Sequence, residues 1–290
     1  MPGTLACIAG EEVSRQWETG RLSGQSLGPR QTPFGPSGPL YRVGEGPRGY
    51  FLLQRYGGPR GKTAPHRVNY RANLYALKDL GAQCVLAWGP GGAVTHTIGV
   101  GDLVVADDVL DFTAKRPSTF FEDSPLGFLR QFPVFCPTLR RLADQVLLDL
   151  RLPHQTEGTV AVTEGPRLET PAEVRMLSAM GAAVVSHTFA PEVFLARELE
   201  MCYAALCYVV NYAETGSRHR PLAVGELFGG LAVPSESTRL ERATGALGQV
   251  ADKLSAELAG DPHACECGNS MEYHRNLLGL GDDWRTWFKA

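Results

Sequence analysis

The chain lacks most of the signals that would commit it to a membrane, a nucleic acid or the cell exterior. No apolar run approaches the ~20 residues needed to span a bilayer. The opening MPGTLACIAGEEVS has no charged leader followed by a long apolar stretch, so no secretory signal is expected and a cytoplasmic location is the default. Basic runs and aromatic–basic stripes are missing, and the net charge is only −3. That balance argues against nucleic acid or an anionic membrane as the main partner. The seven cysteines are Cys7, Cys84, Cys136, Cys202, Cys207, Cys265 and Cys267. An odd number scattered over the whole chain is not a secreted disulfide framework, and four of them sit in or beside apolar strand-like runs, where cysteine serves as a small buried hydrophobe. Domain linkers, repeats and low-complexity tracts are absent too. What is present is 290 residues with 43% hydrophobic and 20% charged content, enough for a large globular core.

The pattern along the chain is that of an α/β fold. TLACIA (4–9) reads as a first strand, and Leu40 to Val43 and YFLLQR (50–55) as two more, with Gly-, Pro- and Ser-rich loops between. From residue 66 helices and strands alternate. HRVNYRANLYALKDLG reads as a helix with Val68, Ala72, Tyr75, Ala76 and Leu80 near a 3.6-residue period, and QCVLAW and GDLVVADDVLDF (from Gly101) as strands. CPTLRRLADQVLLDL is an amphipathic helix with Leu139, Leu142, Val146 and Leu150 on one face, followed by the strand GTVAVTEG. Thr170-Pro-Ala-Glu173 has the form of a capping box opening the next helix. Strand AAVVSHT, helix PEVFLARELEM, strand YAALCYVVNYA and a long helix over 237–258 complete the series. Alternation of this kind implies a largely parallel sheet flanked by helices. We read residues 1–260 as one such domain and 261–290 as a C-terminal tail.

In open α/β sheets ligands bind beyond the strand ends. Three strand ends here carry polar groups: Glu164 to Glu169, Ser186 to Thr188, and Asn211 to Glu214. Three together suit a small-molecule pocket. His187, between Ser186 and Thr188, is either a shape-filling side chain or a working group.

These segments, H66-RVNYRANLYALKDLGA, G101-DLVVADD, E164-GPRLETPAE, T188-FAPEVFLARE and V210-NYAETG, resemble the trimeric purine nucleoside phosphorylase family. The likeness is greatest to its methylthioadenosine and methylthioinosine phosphorylase branch and covers most of residues 4–258. It implies a single α/β domain with a mixed, largely parallel twisted sheet, a distorted barrel surrounded by helices, usually assembled as a homotrimer with active sites near subunit interfaces. The implied reaction is attack of phosphate on C1′ of a purine nucleoside, releasing base and ribose 1-phosphate. The implied partners are the nucleoside and phosphate, with no metal or organic cofactor.

By the same resemblance, Glu169 accepts hydrogen bonds from the base and Asn211 bridges O6 and N7, while Leu168 replaces a common aromatic residue. Adenine-selective members place Asp at the position of Asn211 and again two residues on, where this chain has Ala213. A neutral amide can donate to O6, so the pair favours hypoxanthine- or guanine-type bases. A plainer role for Glu169 is to favour the dipole of the capped helix. Arg55 and Thr188 match phosphate ligands. Three other phosphate positions are altered: the hydroxyl position of the C7-IAGEEVS turn falls on Glu11, Tyr56 replaces a His, and Gly89 stands where a hydroxyl is common. A carboxylate facing phosphate would repel it, although Arg60 can substitute from the same loop. His187 replaces a Met that packs on ribose, where a neutral imidazole can activate water or hold a sugar hydroxyl. Three outcomes stay open: phosphorolysis with a rearranged anion site, hydrolysis with water held by Glu11 or His187, or a catalytically silent purine-binding or scaffold relative.

Smaller signals remain. Cys265-Glu-Cys267 resembles a CxC element that is redox-active or disulfide-bonded in some microbial members, and His263 and His274 nearby are weak metal evidence. By the same resemblance, His219 falls in the region that closes over the 5′ end of the nucleoside in the family, although an exposed loop histidine is the plainer reading. Asn69 and Asn73 read as structural and interface residues, and the aromatic tail D282-DWRTWFKA as an interface cover.

Overall fold

The computed structural model describes residues 4–57, 63–213, 233–260 and 265–289. Strands β1 (Leu5–Ala9), β2 (Gly24–Gly28), β3 (Gln31–Thr32), β4 (Gly35–Pro36), β5 (Leu40–Val43), β6 (Tyr50–Gln54), β7 (Cys84–Ala93), β8 (Leu103–Val105), β9 (Val109–Phe112), β10 (His154–Gln155), β11 (Val160–Thr163), β12 (Val184–Ser186) and β13 (Cys202–Tyr212) interleave with the helices. The helices are α1 (Glu12–Glu18), α2 (Tyr70–Asp79), α3 (Pro137–Asp149), α4 (Pro171–Ala179), α5 (Glu192–Glu198), α6 (Pro234–Gly245), α7 (Leu247–Gly260) and α8 (Glu272–Leu278). One mixed sheet runs β10–β8–β13–β7–β1–β6–β5–β2, and β9, β11 and β12 form a limb joined to it where β12 pairs antiparallel with the end of β7. Its spine of β13, β7, β1 and β6 is parallel. β3 and β4 make a separate two-stranded ribbon.

β1 shows why the spine reads as a continuous apolar run. Successive side chains point to opposite faces of a strand, and here both faces are covered. Leu5, Cys7 and Ala9 join a layer with Val146 of α3 and Leu254 of α7. Ala6 and Ile8 join the opposite layer with Leu74 of α2 and Leu195 of α5. A sheet sandwiched by helices leaves no polar face to alternate with.

Three boundaries differ from the sequence reading, each for a local reason. Residues 101–112 divide into β8 and β9, which pair with different neighbours. The Asp107 carboxylate accepts from Gly158 N–H and that of Asp108 from Val109 N–H, and such local side-chain bonds compete with the ladder. The helix expected from residue 66 opens later, because Pro65–Arg67 forms a 3-10 turn and Asn69 caps α2 by accepting from Ala72 N–H. The helix expected over 237–258 begins at Pro234 and is two, α6 and α7, broken beside Gly245, a poor helix former. The C-terminal segment, whose aromatic end was expected to cover an interface, packs on this chain's own core. Met271 and Trp287 are buried in the same layer as Ile8, and the Phe288 ring lies 5.4 to 5.6 Å from those of Phe34, Phe120 and Phe121. Asn69 and Asn73 act structurally, donating to Phe34 O and accepting from Gly38 N–H.

Candidate functional site

A cavity opens where β7, β11, β12 and β13 end. Leu168, Glu169, Ser186, His187, Thr188 and Asn211 line it together with Tyr56 and the Pro90–Gly92 backbone. All three polar strand ends therefore contribute. Each is held by a device the sequence encodes locally. The segment carrying Leu168 and Glu169 is fixed by the capping box of α4, in which Thr170 Oγ1 accepts from Glu173 N–H and Glu173 Oε2 accepts from Thr170 N–H at 2.7 Å. Asn211 follows a register shift between Val209 and Asn211 on β13, and such bulges re-aim side chains near binding sites. Its Nδ2 donates one proton to Tyr212 O at 3.2 Å.

Glu169 is the charged centre of the cavity. Thr163 Oγ1 donates to Glu169 Oε1 at 2.5 Å, and His187 Nε2 stands 3.3 Å from the same oxygen. Among the described residues no side-chain donor takes Oε2. Burial pushes the carboxyl up, but the bonds from His187 and Thr163 outweigh it and hold it below its usual range. A carboxylate only accepts, so Nε2 carries the proton in this contact. His187 is thus tied to the carboxylate through Nε2. Gly165 packs on the other side of the ring. It has φ of 64°, and a Cβ there would lie 2.9 Å from His187 Nδ1, so both backbone conformation and close approach require glycine.

The sequence reading passed over Arg116, which organises this region. Its guanidinium is fully buried. Nη1 donates to His187 O at 3.0 Å and Ala190 O at 2.7 Å, and Nη2 to Thr163 O at 3.0 Å and Glu164 O at 2.7 Å. Nε reaches Glu164 Oε1 at 3.3 Å. One side chain thus ties the strand end that carries Thr163 to the one that carries His187. The only signal for it was Glu164, its carboxylate partner at the head of EGPRLET.

The expected anion side differs most from the sequence reading. The carboxylate in the first turn is Glu12, not Glu11, which is exposed. Glu12 Oε1 accepts from Gly10 N–H at 2.9 Å, and Tyr208 OH donates to Oε2 at 3.0 Å. Burial pushes the Glu12 carboxyl up, against the opposing pull of the Gly10 and Glu12 N–H groups, Arg55 and the Tyr208 hydroxyl. Arg55, expected to hold phosphate, has a fully buried side chain paired with a carboxylate. It donates Nε and Nη2 to the Glu192 carboxylate at 2.6 and 3.1 Å and Nη1 to Trp88 O at 3.1 Å. Glu192 also accepts from Tyr203 OH at 2.8 Å. Thr188 does line the cavity, and its Oγ1 shares a 2.8 Å hydrogen bond with Ser186 Oγ. Gly89 is explained by Thr188, since a Cβ at 89 would lie 2.6 Å from Thr188 Oγ1. Tyr56 lines the cavity beside Gly10. Arg60, Glu214, His219 and His263 lie outside the described residues. Cys265 and Cys267 are remote from the cavity lining and gather with Cys136 and Cys202, while His274 is buried against the Tyr273 ring.

Fold and site together define a single-domain α/β protein with a small-molecule pocket at its strand ends, its polar groups poised around one carboxylate and one amide. Residues 30–230 match the phosphorylase superfamily, and the chain belongs to that family. A probable S-methyl-5′-thioinosine phosphorylase of Methanothermobacter thermautotrophicus is 39% identical over 228 residues, 77% of this chain and 76% of the relative. A probable 6-oxopurine nucleoside phosphorylase of Dictyoglomus turgidum is 35% identical over 246 residues, 84% of this chain and 88% of the relative. Among solved structures, methylthioadenosine phosphorylase from Schistosoma mansoni in complex with adenine has the same fold. The TM-score is 0.78 at 24% identity, over 97% of this chain and 99% of that one.

Proposed function

We propose that this protein is a pentosyltransferase that cleaves the N-glycosidic bond of a 6-oxopurine nucleoside with phosphate. The substrate is inosine, guanosine or 5′-methylthioinosine, and the products are the free base and the sugar 1-phosphate. The observation that carries this reading is the pairing, in one cavity, of the Glu169 carboxylate with the Asn211 amide. Glu169, held ionised by Thr163 and His187, accepts from N1–H of a 6-oxopurine and from a 2-amino group where present. The Asn211 amide keeps a second N–H after donating to Tyr212 O, and this can meet O6 or N7. Ala213, also on the lining, brings no carboxylate to attract the N6 amino group of adenine. As the glycosidic bond breaks, negative charge develops on the base, and donors aimed at O6 and N7 stabilise it most at the transition state. The relatives named as 6-oxopurine nucleoside and methylthioinosine phosphorylases support the same substrate class.

A second reading, with water as nucleophile, is favoured by two observations. Glu12 occupies the Gly10 N–H that an anion would use, and Arg55 is committed to Glu192. Base release from inosine, guanosine and methylthioinosine, measured with and without phosphate, separates the two. Release that depends on phosphate supports phosphorolysis, and release indifferent to phosphate supports hydrolysis. Absence of release from all three, together with no calorimetric binding of hypoxanthine, refutes both.

A further inference from the structure

Away from the cavity, four of the seven cysteines converge. Cys136 caps α3, Cys202 opens β13, and Cys265 and Cys267 come from the segment after α7. Their four sulfurs all lie within 4.8 Å of one another, and those of Cys202 and Cys265 are 3.3 Å apart. Cys136 and Cys202 are buried, and Cys265 and Cys267 are half-buried. Three separate stretches of chain thus deliver four soft ligands to one point.

From this geometry we propose that the protein binds a single zinc ion through Cys136, Cys202, Cys265 and Cys267. Thiolates at about 2.3 Å from a tetrahedral zinc stand about 3.8 Å from one another, which agrees with a set of four confined within 4.8 Å. Paired disulfides would draw the sulfurs two by two to about 2.05 Å, whereas all four cysteines are free thiols and those of Cys202 and Cys265 stand 3.3 Å apart. A two- or four-iron cluster spreads its four cysteines over more than one iron atom and needs a wider cage. Four sulfurs with no open position make a closed, structural site, the arrangement zinc favours when it supports a fold.

The surroundings suit a thiolate set. Cys136 sits at the N-terminus of the 13-residue α3 and accepts from Leu139 N–H at 3.4 Å, and the positive end of a helix stabilises sulfur anion. Lys78 and Arg197 are close enough to feel the charges of Cys202 and Cys267 respectively. Binding exchanges four S–H protons for four Zn–S bonds, with no oxidant or reductant involved, and the site ends with a charge of −2 (one dication, four thiolates). Its purpose is to pin the C-terminal segment. The residues it anchors run on to Met271 and Trp287, which are buried in the core, and to Phe288, packed on Phe34, Phe120 and Phe121. The inference is independent of the substrate assigned to the cavity.

The test uses the full chain purified without chelator. Elemental analysis is expected to find about one zinc per chain, and the intact mass under denaturing, non-reducing conditions to show every thiol reduced. Exchange into cobalt(II) should produce thiolate-to-cobalt charge-transfer bands and the d–d bands of a tetrahedral site. The paired variant Cys265→Ser/Cys267→Ser should lose at least nine-tenths of the metal while keeping base release at low temperature. If that variant does not fold, the cobalt spectrum of the unaltered chain decides. Absence of zinc with no cobalt uptake by the reduced protein, disulfide masses in place of metal, or full metal content in the paired variant would each overturn the proposal.

Discussion

Replacing Glu12 by Gln probes the least family-like feature of the site. The side chain accepts from Gly10 N–H and Tyr208 OH. Gln keeps an oxygen for Gly10, and the Tyr208 hydroxyl can turn to accept from the new amide. The substitution therefore removes charge with little change of shape. Two unit charges about 4 Å apart repel by about 4 kcal/mol at an effective dielectric of 20, and every ~1.4 kcal/mol is tenfold in binding. Full ionisation of Glu12 beside phosphate would then weaken phosphate by up to about a thousandfold. The wild-type side chain has an escape, because burial pushes its carboxyl up and it can take a proton when phosphate arrives. Above its pKa that protonation costs about 1.4 kcal/mol per pH unit. The sign follows: as pH falls, wild-type Glu12 becomes neutral and resembles Gln, and as pH rises the two diverge. Initial rates of base release from inosine at varied phosphate, at pH 6 and pH 8, measure this directly. E12Q should lower the phosphate KM by about tenfold or more at pH 8, with a smaller gain at pH 6. A phosphate KM unchanged within about twofold at both pH values would mean that Glu12 does not face the anion and that the reasoning fails.

Three further expectations concern other parts of the molecule. Asn211→Asp should move base preference towards 6-aminopurines, because a carboxylate accepts from N6 and repels O6; kcat/KM for adenosine against inosine reads it, and an unchanged ratio would contradict the base-site assignment. Thr163→Val removes a hydroxyl that donates to the ionised Glu169; a bond to a charged acceptor is worth about 1.5–3 kcal/mol, so the inosine KM should rise by about tenfold or more, whereas no change would mean that Thr163 does not tune Glu169. Glu198, 3% exposed and accepting from Phe120 N–H, has its carboxyl raised by burial from 4.5 to about 7. The fold therefore holds its proton more tightly than the unfolded chain does. Its stabilising effect is present below pH 4.5 and is lost as pH rises through 7, so between pH 5 and pH 8 the wild type should lose on the order of 3 kcal/mol relative to Glu198→Gln. Parallel denaturation curves for the two proteins across that range would refute it.

The architecture was legible wherever local chemistry and tertiary packing agree. β1, β6, β13 and the capping box of α4 all lie where apolar runs and cap residues placed them. The cavity was legible as well, because Glu169 and Asn211 follow strand ends whose direction the αβ alternation dictates, and both line it. What could not be read were the pairings between distant residues. Nothing near Arg55 shows that its guanidinium pairs with Glu192, 137 positions away. Nothing near Arg116 in the chain says that it gathers carbonyls from two strand ends. The one-residue difference between Glu11 and Glu12 depends on where α1 begins, and helix starts are the least determined feature of a sequence. The cysteine cluster escaped the sequence for the same reason: Cys265 and Cys267 lie with Cys136 and Cys202, which come from distant parts of the chain.

The central claim is that Glu169 and Asn211 together select a 6-oxopurine. The most direct test is the ratio of kcat/KM for inosine to that for adenosine, measured with the unaltered protein at saturating phosphate. A ratio well above about tenfold in favour of inosine is expected, since a donor to O6 and an acceptor for N1–H would leave adenine with mismatched groups. A ratio near one, or a preference for adenosine, would contradict it.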